Sequence, residues 1–172
     1  PQGGVVSPML SNVFLHYVLD QWFEQDVSPR MRRPAFLIRY ADDFVIGFEH
    51  EAEARACLEA LAERLEGFGL RLHLTKTRLI EFGRFADQQR KRRGDRRPET
   101  FDFLGFTFRR VWNRDWTKRA TLYYPSTKSQ QRLRTSVKKV VSTQVPVTIA
   151  EQVRRVNQIL RGWVNYFRIA NS

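Results

Sequence analysis

From Met9 to Trp22 the apolar residues Met9, Leu10, Val13, Phe14, Tyr17, Val18 and Trp22 return every three or four positions, the period of a helix face. Ser7-Pro8 ahead of them reads as an N-cap followed by proline in the first turn. A largely buried helix is therefore expected to about Glu24, with residues 25–35, which include Pro29 and Pro34, as a connecting loop. The period then changes to two. Phe36, Ile38 and Tyr40 alternate with Leu37, Arg39 and Ala41, and Phe44, Ile46 and Phe48 resume the alternation after Asp42-Asp43. This predicts a hairpin with the two aspartates at its tip.

Ala54, Cys57, Leu58, Leu61 and Leu65 share one face of a helix over Glu51 to about Gly67, with the acids elsewhere, so Cys57 reads as a core residue. Gly67 and Gly69 end that helix, and "LRLHLTKTRLIEF" follows as extended chain. Residues 84–97 collect seven basic side chains and few apolar ones, which reads as a mobile basic loop. "FDFLGFTFRRVW" and "WTKRATLYY" read as a second hairpin, rich in aromatics and broken at residues 113–115. Beyond Pro125 the pattern is helical. Thr127 with Gln130, and Thr148 with Glu151, fit capping boxes that open helices at about 128–143 and 149–168. The order is helix, hairpin, helix, strand, hairpin, helices. That is an α+β fold, an antiparallel sheet backed by helices and followed by an α-helical segment, because hairpin connections leave no room for parallel crossovers. A domain boundary is expected near residue 125, dividing 1–125 from 126–172.

Charge adds the first functional constraint. Across 172 residues, 30 Lys and Arg face 18 Asp and Glu, a net charge of +12, which points to a polyanionic partner, nucleic acid before membrane. The distribution is uneven: residues 36–83 carry 6 basic and 9 acidic side chains, whereas residues 118–172 carry 11 basic side chains and Glu151 alone as an acid. Cys57 is the single cysteine, which excludes an internal disulfide and a multi-cysteine zinc site and fits a reducing compartment. No stretch approaches the roughly 18 apolar residues of a membrane span, and no signal peptide is evident, so a soluble, cytoplasmic protein without a membrane partner is expected. The chain opens on Pro1-Gln2-Gly3-Gly4 without an initiator Met, which suggests a piece of a longer protein.

"RYADDFVIGF", residues 39–48, carries the candidate chemistry. Neighbouring side chains on a strand point to opposite faces, so Asp42 and Asp43 approach a common point only where the strand turns. Two close carboxylates raise each other's proton affinity unless a cation neutralises them, and a hard, oxygen-seeking ion such as Mg²⁺ suits them. Two such ions about 4 Å apart activate an attacking hydroxyl and stabilise a leaving oxygen in phosphoryl transfer. The other reading is a plain surface turn, where Asp is common. The residues alone leave both open.

The ordered motifs supply the context. "YADD" on a hairpin resembles the catalytic box of reverse transcriptases, and "PQGGVVSPMLSNVFLHYVLD" resembles the box before it. "GFGLRLHLTKTRLIEFGRFA" is similar to the box after it, "FDFLGFTF" to the primer-gripping hairpin, and "AEQVRRVNQILRGWVNYF" to the maturase, or thumb, region of bacterial group II intron proteins. The resemblance covers nearly the whole chain and identifies it as a fragment of a group II intron reverse transcriptase/maturase. It implies a polymerase palm over 1–125, lacking the fingers and the first catalytic aspartate, and a truncated helical thumb over 126–172.

By that resemblance Asp42 is the essential metal ligand and Asp43 the second carboxylate, serving a site of two Mg²⁺ ions. Tyr40 packs under the primer end, Gln2 and Gly3 line the nucleotide pocket, and Lys76 lies near the triphosphate. For Lys76 the residues alone read as a solvated surface lysine. The family has Pro-Glu just before this lysine where the chain has Leu74-Thr75. Leu104, Gly105 and Phe106 are the primer grip. Intron RNA as template, a DNA or RNA primer and deoxynucleoside triphosphates are the implied partners. Taken alone the 172 residues are expected to hold half a metal site and not to polymerise.

RNA contacts are expected from Arg90, Lys91, Arg92 and Arg93 in the basic loop and from Lys128, Arg132, Arg134, Lys138, Lys139, Arg154, Arg155 and Arg161 in the helices, with steep salt dependence and little base discrimination. Trp163, Tyr166 and Phe167 are able to stack on bases, but Trp163 and Phe167 also belong to an apolar stripe and read first as core. The competing function is a splicing factor that grips intron RNA and makes little use of the aspartates. Another bacterial reverse transcriptase, of the retron or diversity-generating type, is the other alternative, against which "RGWVNYF" in a basic helix argues.

Overall fold

The computed structural model describes residues 6–73, 75–83, 86–95, 99–112, 119–142 and 147–169. Packing divides the chain into two compact units, Pro1–Leu79 and Ile80–Ser172. The change from strand to helix near residue 125 lies inside the second unit.

The first unit begins with α1, Ser7–Leu15, which continues through π-helical turns at His16–Asp20 and Phe23–Val27 and a 3₁₀ turn at Ser28–Arg30. Residues 25–30, expected as loop, are thus helical, and Pro29 is accommodated because it falls in the first turn of the short 3₁₀ piece. Val6, not Ser7, occupies the cap position, and no side chain caps the helix. The expected burial is also divided along its length. Val18, Leu19, Trp22, Phe23 and Val27 are buried, whereas Met9, Leu10, Val13, Phe14 and Tyr17 are exposed. Periodicity reports an apolar face but not what covers each turn of it.

Strands β1, Phe36–Tyr40, and β2, Asp43–Gly47, pair antiparallel with Leu37 opposite Ile46, Arg39 opposite Phe44 and Tyr40 opposite Asp43. Cross-strand partners share a face. Leu37, Phe44 and Ile46 pack on the core, and Phe36, Ile38 and Tyr40 face outward.

Helix α2, Glu51–Gly67, supplies Cys57, Leu61 and Leu65 to the same core as Val18, Leu19, Trp22, Phe23 and Val27. Fully burying an aliphatic side chain of this kind stabilises by about 1.5–3 kcal/mol. Its end is a Schellman motif. Gly69 takes φ +73°, its N–H donates to the Glu66 carbonyl at 2.9 Å, and the Leu70 N–H donates to the Leu65 carbonyl at 2.8 Å. Burial pushes the Cys57 thiol up to about 11, which keeps it protonated and inert at neutral pH. The strand expected after α2 is absent among the described residues. Leu70 and Leu72 lean on the core without a strand partner.

The second unit starts with α3, Ala86–Arg92, in the stretch expected to be a mobile loop. Ala86 is buried, and carboxylates organise the arginines: Arg90 pairs with Asp95 and Glu99, and Arg93 with Glu81. Strands β3, Thr100–Phe103, β4, Phe106–Trp112, and β5, Arg119–Pro125, form one antiparallel sheet in the order β3-β4-β5. "FDFLGFTFRRVW" is therefore itself a hairpin turning at Leu104-Gly105, because only that pair lets the chain reverse with both residues at positive φ, +49° and +80°.

Helix α4, Thr127–Val141, is capped by Ser126, whose hydroxyl accepts from the Ser129 N–H; the expected Thr127–Gln130 box is displaced by one residue. Helix α5, Ile149–Phe167, opens as expected on Thr148, which accepts from the Glu151 N–H. The fold is α+β, with two small antiparallel sheets and helices. Among the described residues no helix is long and apolar enough to cross a membrane.

Candidate active site

The turn between β1 and β2 consists of Ala41 and Asp42. Asp43, expected at the tip, is instead the first residue of β2, closing the ladder opposite Tyr40. Tyr40, Asp42 and Asp43 are exposed, Tyr40 by 67%. Ala41 carries φ +54°, a region that disfavours any residue with a Cβ by about 1–2 kcal/mol. Such strain persists only where surrounding contacts impose it.

Arg39, which in the sequence stands out only as one position of the alternation, reaches this turn. Arg39 lies on the core-facing side of β1, its side chain 13% exposed. Its Nε donates to Asp20 Oδ1 at 2.7 Å and its Nη2 to Asp20 Oδ2 at 2.6 Å, a two-bond fork. Its Nη1 donates to the Ala41 carbonyl at 2.9 Å and to Asn12 Oδ1 at 3.0 Å. The hydrogen bond from Arg39 outweighs the opposing effect of burial and holds the Asp20 carboxyl below its ordinary range. The available signal was a charged residue on the face of a strand that must pack, since a buried arginine requires an acid.

The Asp42 and Asp43 carboxylates take no hydrogen bond or ion pair among the described residues, and no third Asp, Glu, His or Cys gathers with them there. Two exposed carboxylates without a cationic partner are the hard oxygen donors a divalent ion takes. They fit part of a metal site. Lys76 lies in a turn, its backbone N–H bonded to the His73 carbonyl at 2.9 Å, with an exposed side chain that no described contact joins to the aspartates. Gln2 and Gly3 lie outside the described residues.

In the second unit the Leu104-Gly105 turn is held through both carbonyls. Tyr166 donates its hydroxyl to the Leu104 carbonyl at 2.9 Å, while the Gly105 carbonyl accepts from the Ser126 N–H at 2.8 Å and the Ser129 hydroxyl at 2.9 Å. Phe106 is buried, with ring centroids 5.8 Å from Tyr166 and 4.9 Å from Phe167. Phe101 stacks on Phe108 at 5.0 Å, and Trp163 meets Phe167 at 4.8 Å. These rings pack against one another.

Lys128, Arg132, Arg134, Lys138 and Lys139 are exposed on α4, a helix without an acid. On α5, Arg154 and Arg155 pair with Glu151 at 2.7 and 2.8 Å, and Arg154 and Arg161 are exposed. Lys91 and Arg92 are exposed near the end of α3, whereas the Arg90 side chain is only 20% exposed between its two acids.

Two family models match this chain. The model for reverse transcriptase (RNA-dependent DNA polymerase) covers residues 1–108, and that for the group II intron maturase-specific domain covers residues 130–172. No curated protein matches. The first match contains the β1-β2 turn and the Leu104-Gly105 turn, and the second contains most of α4 and all of α5. With more than half its length matched by the polymerase family and its C-terminal helices by the maturase-specific domain, the chain belongs to the group II intron-encoded reverse transcriptase/maturase family.

Proposed function

We propose that this chain supplies the catalytic turn and the start of the thumb of an RNA-directed DNA polymerase that also binds its intron RNA and assists splicing. In that reaction a primer 3′-hydroxyl attacks the α-phosphorus of a deoxynucleoside triphosphate; the O3′–Pα bond forms, the Pα–O–Pβ bond breaks, and pyrophosphate leaves. The observation that carries the reading is the pair of exposed, cation-free carboxylates Asp42 and Asp43 at a strained turn, within a family of RNA-dependent DNA polymerases. When bound, Mg²⁺ supplies charge neutralisation and polarises the phosphate oxygens.

Asp42 and Asp43 hold that charge, and the outward face shared by Tyr40 and Asp43 takes the primer end. Gln2 and Gly3 border the incoming nucleotide, and Lys76 offsets charge on the leaving pyrophosphate. The Leu104-Gly105 turn grips the primer backbone, while Phe106, buried against Tyr166 and Phe167, supports the turn rather than touching the primer. The functional division falls at 125, with 126–172 as the RNA-gripping part. There, five cations on α4 with no acid among them favour phosphate contact. Arg154, Arg155 and Arg161 extend that surface along α5. Lys91 and Arg92 add to it from α3, with Arg90 and Arg93 shared between RNA and their carboxylates.

The test is primer extension on an RNA template with Mg²⁺ by the full-length protein that contains this sequence, beside its Asp42→Ala variant. Abolished extension with retained RNA binding is expected. Equal extension by the two proteins removes Asp42 from catalysis, whereas no extension by either protein, with RNA binding retained, favours the reading as a non-catalytic splicing factor.

A further inference from the structure

The β1-β2 turn is strained at Ala41 and yet must present Asp42 in one direction, and nothing in the turn's own sequence enforces that. A hairpin tip with alanine at φ +54° relaxes unless its carbonyl is held. We infer that Arg39 is the positioning residue for Asp42: it ties the Ala41 carbonyl to Asn12 and Asp20 of the first helix and so fixes the direction of the aspartate that follows. This rests on the reading of Asp42 as a metal-binding carboxylate.

Three observations converge on it. The guanidinium is used on both edges, with Nε and Nη2 forked on Asp20 and Nη1 divided between Ala41 and Asn12. A lysine offers one nitrogen where four contacts at three sites are needed, so only arginine's planar fork bridges helix and turn. The anchor is itself built in. Asp20 closes the π-helical turn His16–Asp20, where the Gln21 N–H reaches back five residues to the His16 carbonyl. Arg64 stabilises this turn by donating through Nε to the Val18 carbonyl at 2.8 Å, its guanidinium 5.7 Å from the centroid of the Trp22 ring. Such turns recur at functional sites because they displace a side chain from regular helix geometry. An ion pair serving only to join helix and hairpin would need the fork on Asp20. It would not need the third arm, on the backbone of the residue before Asp42.

The experiment compares full-length wild type, Arg39→Lys, Asp20→Asn and Asp42→Ala. Hydrogen–deuterium exchange without metal is read on peptides covering residues 40–44 and, as a control, on α2. Primer extension is then titrated with Mg²⁺. Arg39→Lys keeps the charge but loses the bridging arm, so exchange at 40–44 is expected to rise about tenfold, the scale of one charge-assisted hydrogen bond, with α2 unchanged. Its Mg²⁺ half-saturation is expected to rise several-fold, and Asp20→Asn to move both readouts the same way. Unchanged exchange at 40–44, or exchange rising equally in α2, overturns the inference. Full extension by Asp42→Ala instead overturns the catalytic reading on which it rests, so the two failures are distinguishable.

Discussion

Replacing Gly105 by alanine should destabilise the second unit by about 2–3 kcal/mol, and the size follows from two separable effects. The first is conformational. Gly105 sits at φ +80°, where a Cβ is disfavoured by about 1–2 kcal/mol. The second is spatial. An added Cβ would lie 3.0 Å from the Ser129 hydroxyl, which is not free to swing away because it donates to the Gly105 carbonyl at 2.9 Å and lies 3.1 Å from the Ser126 hydroxyl. Moving it forfeits a hydrogen bond worth about 1 kcal/mol. Ser129→Ala removes the obstacle in advance, at its own cost of about 1 kcal/mol, so Gly105→Ala in that background should cost only the conformational part. The assay is a double-mutant cycle by urea unfolding, read from midpoints at constant slope. A Gly105→Ala stability within about 0.5 kcal/mol of wild type would refute the strain argument. Equal costs in the two backgrounds would refute the contact with Ser129.

Leu61→Ala, which removes a side chain 3% exposed in the core of the first unit, should cost about 2–5 kcal/mol by the same unfolding measurement; a cost below about 1 kcal/mol would mean that α2 does not pack as described. The Cys57 thiol, raised from 9.0 to about 11 by burial, favours the folded state fully below its unfolded value, and that contribution falls away as pH rises towards the folded one. Between about pH 9 and 11 wild type should lose roughly 2 kcal/mol that Cys57→Ala retains, and parallel pH profiles would contradict the burial. Asp20 is shifted the other way, its acidity strengthened by the Arg39 hydrogen bond, so its contribution is present above the ordinary carboxylate value and lost as pH falls through the lowered one. The stability gap between wild type and Asp20→Asn should narrow as pH falls below the ordinary carboxylate value of about 4; a gap that widens as pH falls through that range would remove the charge from the explanation. Lys128→Gln with Arg132→Gln should weaken RNA binding and flatten the plot of log affinity against log salt by about 0.7 for each phosphate that is no longer neutralised, and an unaltered slope would place RNA elsewhere on the molecule.

What the sequence determined by itself was local. The periods of three to four and of two reflect which residues share a face, and cap residues act within four or five positions, so α2 with its Gly69 end and α5 with its Thr148 cap were legible. So was the hairpin itself, because the alternation resumes after Asp42-Asp43, although its turn falls at Ala41-Asp42, one residue earlier than the alternation placed it. The strongly basic, acid-poor C-terminal helices needed only counting. Tertiary structure decided what depends on a distant partner. The outer half of α1 has the same periodicity as the buried half, and only packing distinguishes Met9 from Leu19. The arginines near residue 90 read as a loose cluster until Glu81, Asp95 and Glu99 were seen to order them. Arg39 is the clearest instance. Its partners stand 27 and 19 positions earlier in the chain, a separation that no local pattern encodes, yet they impose the conformation of the one turn that carries the aspartates.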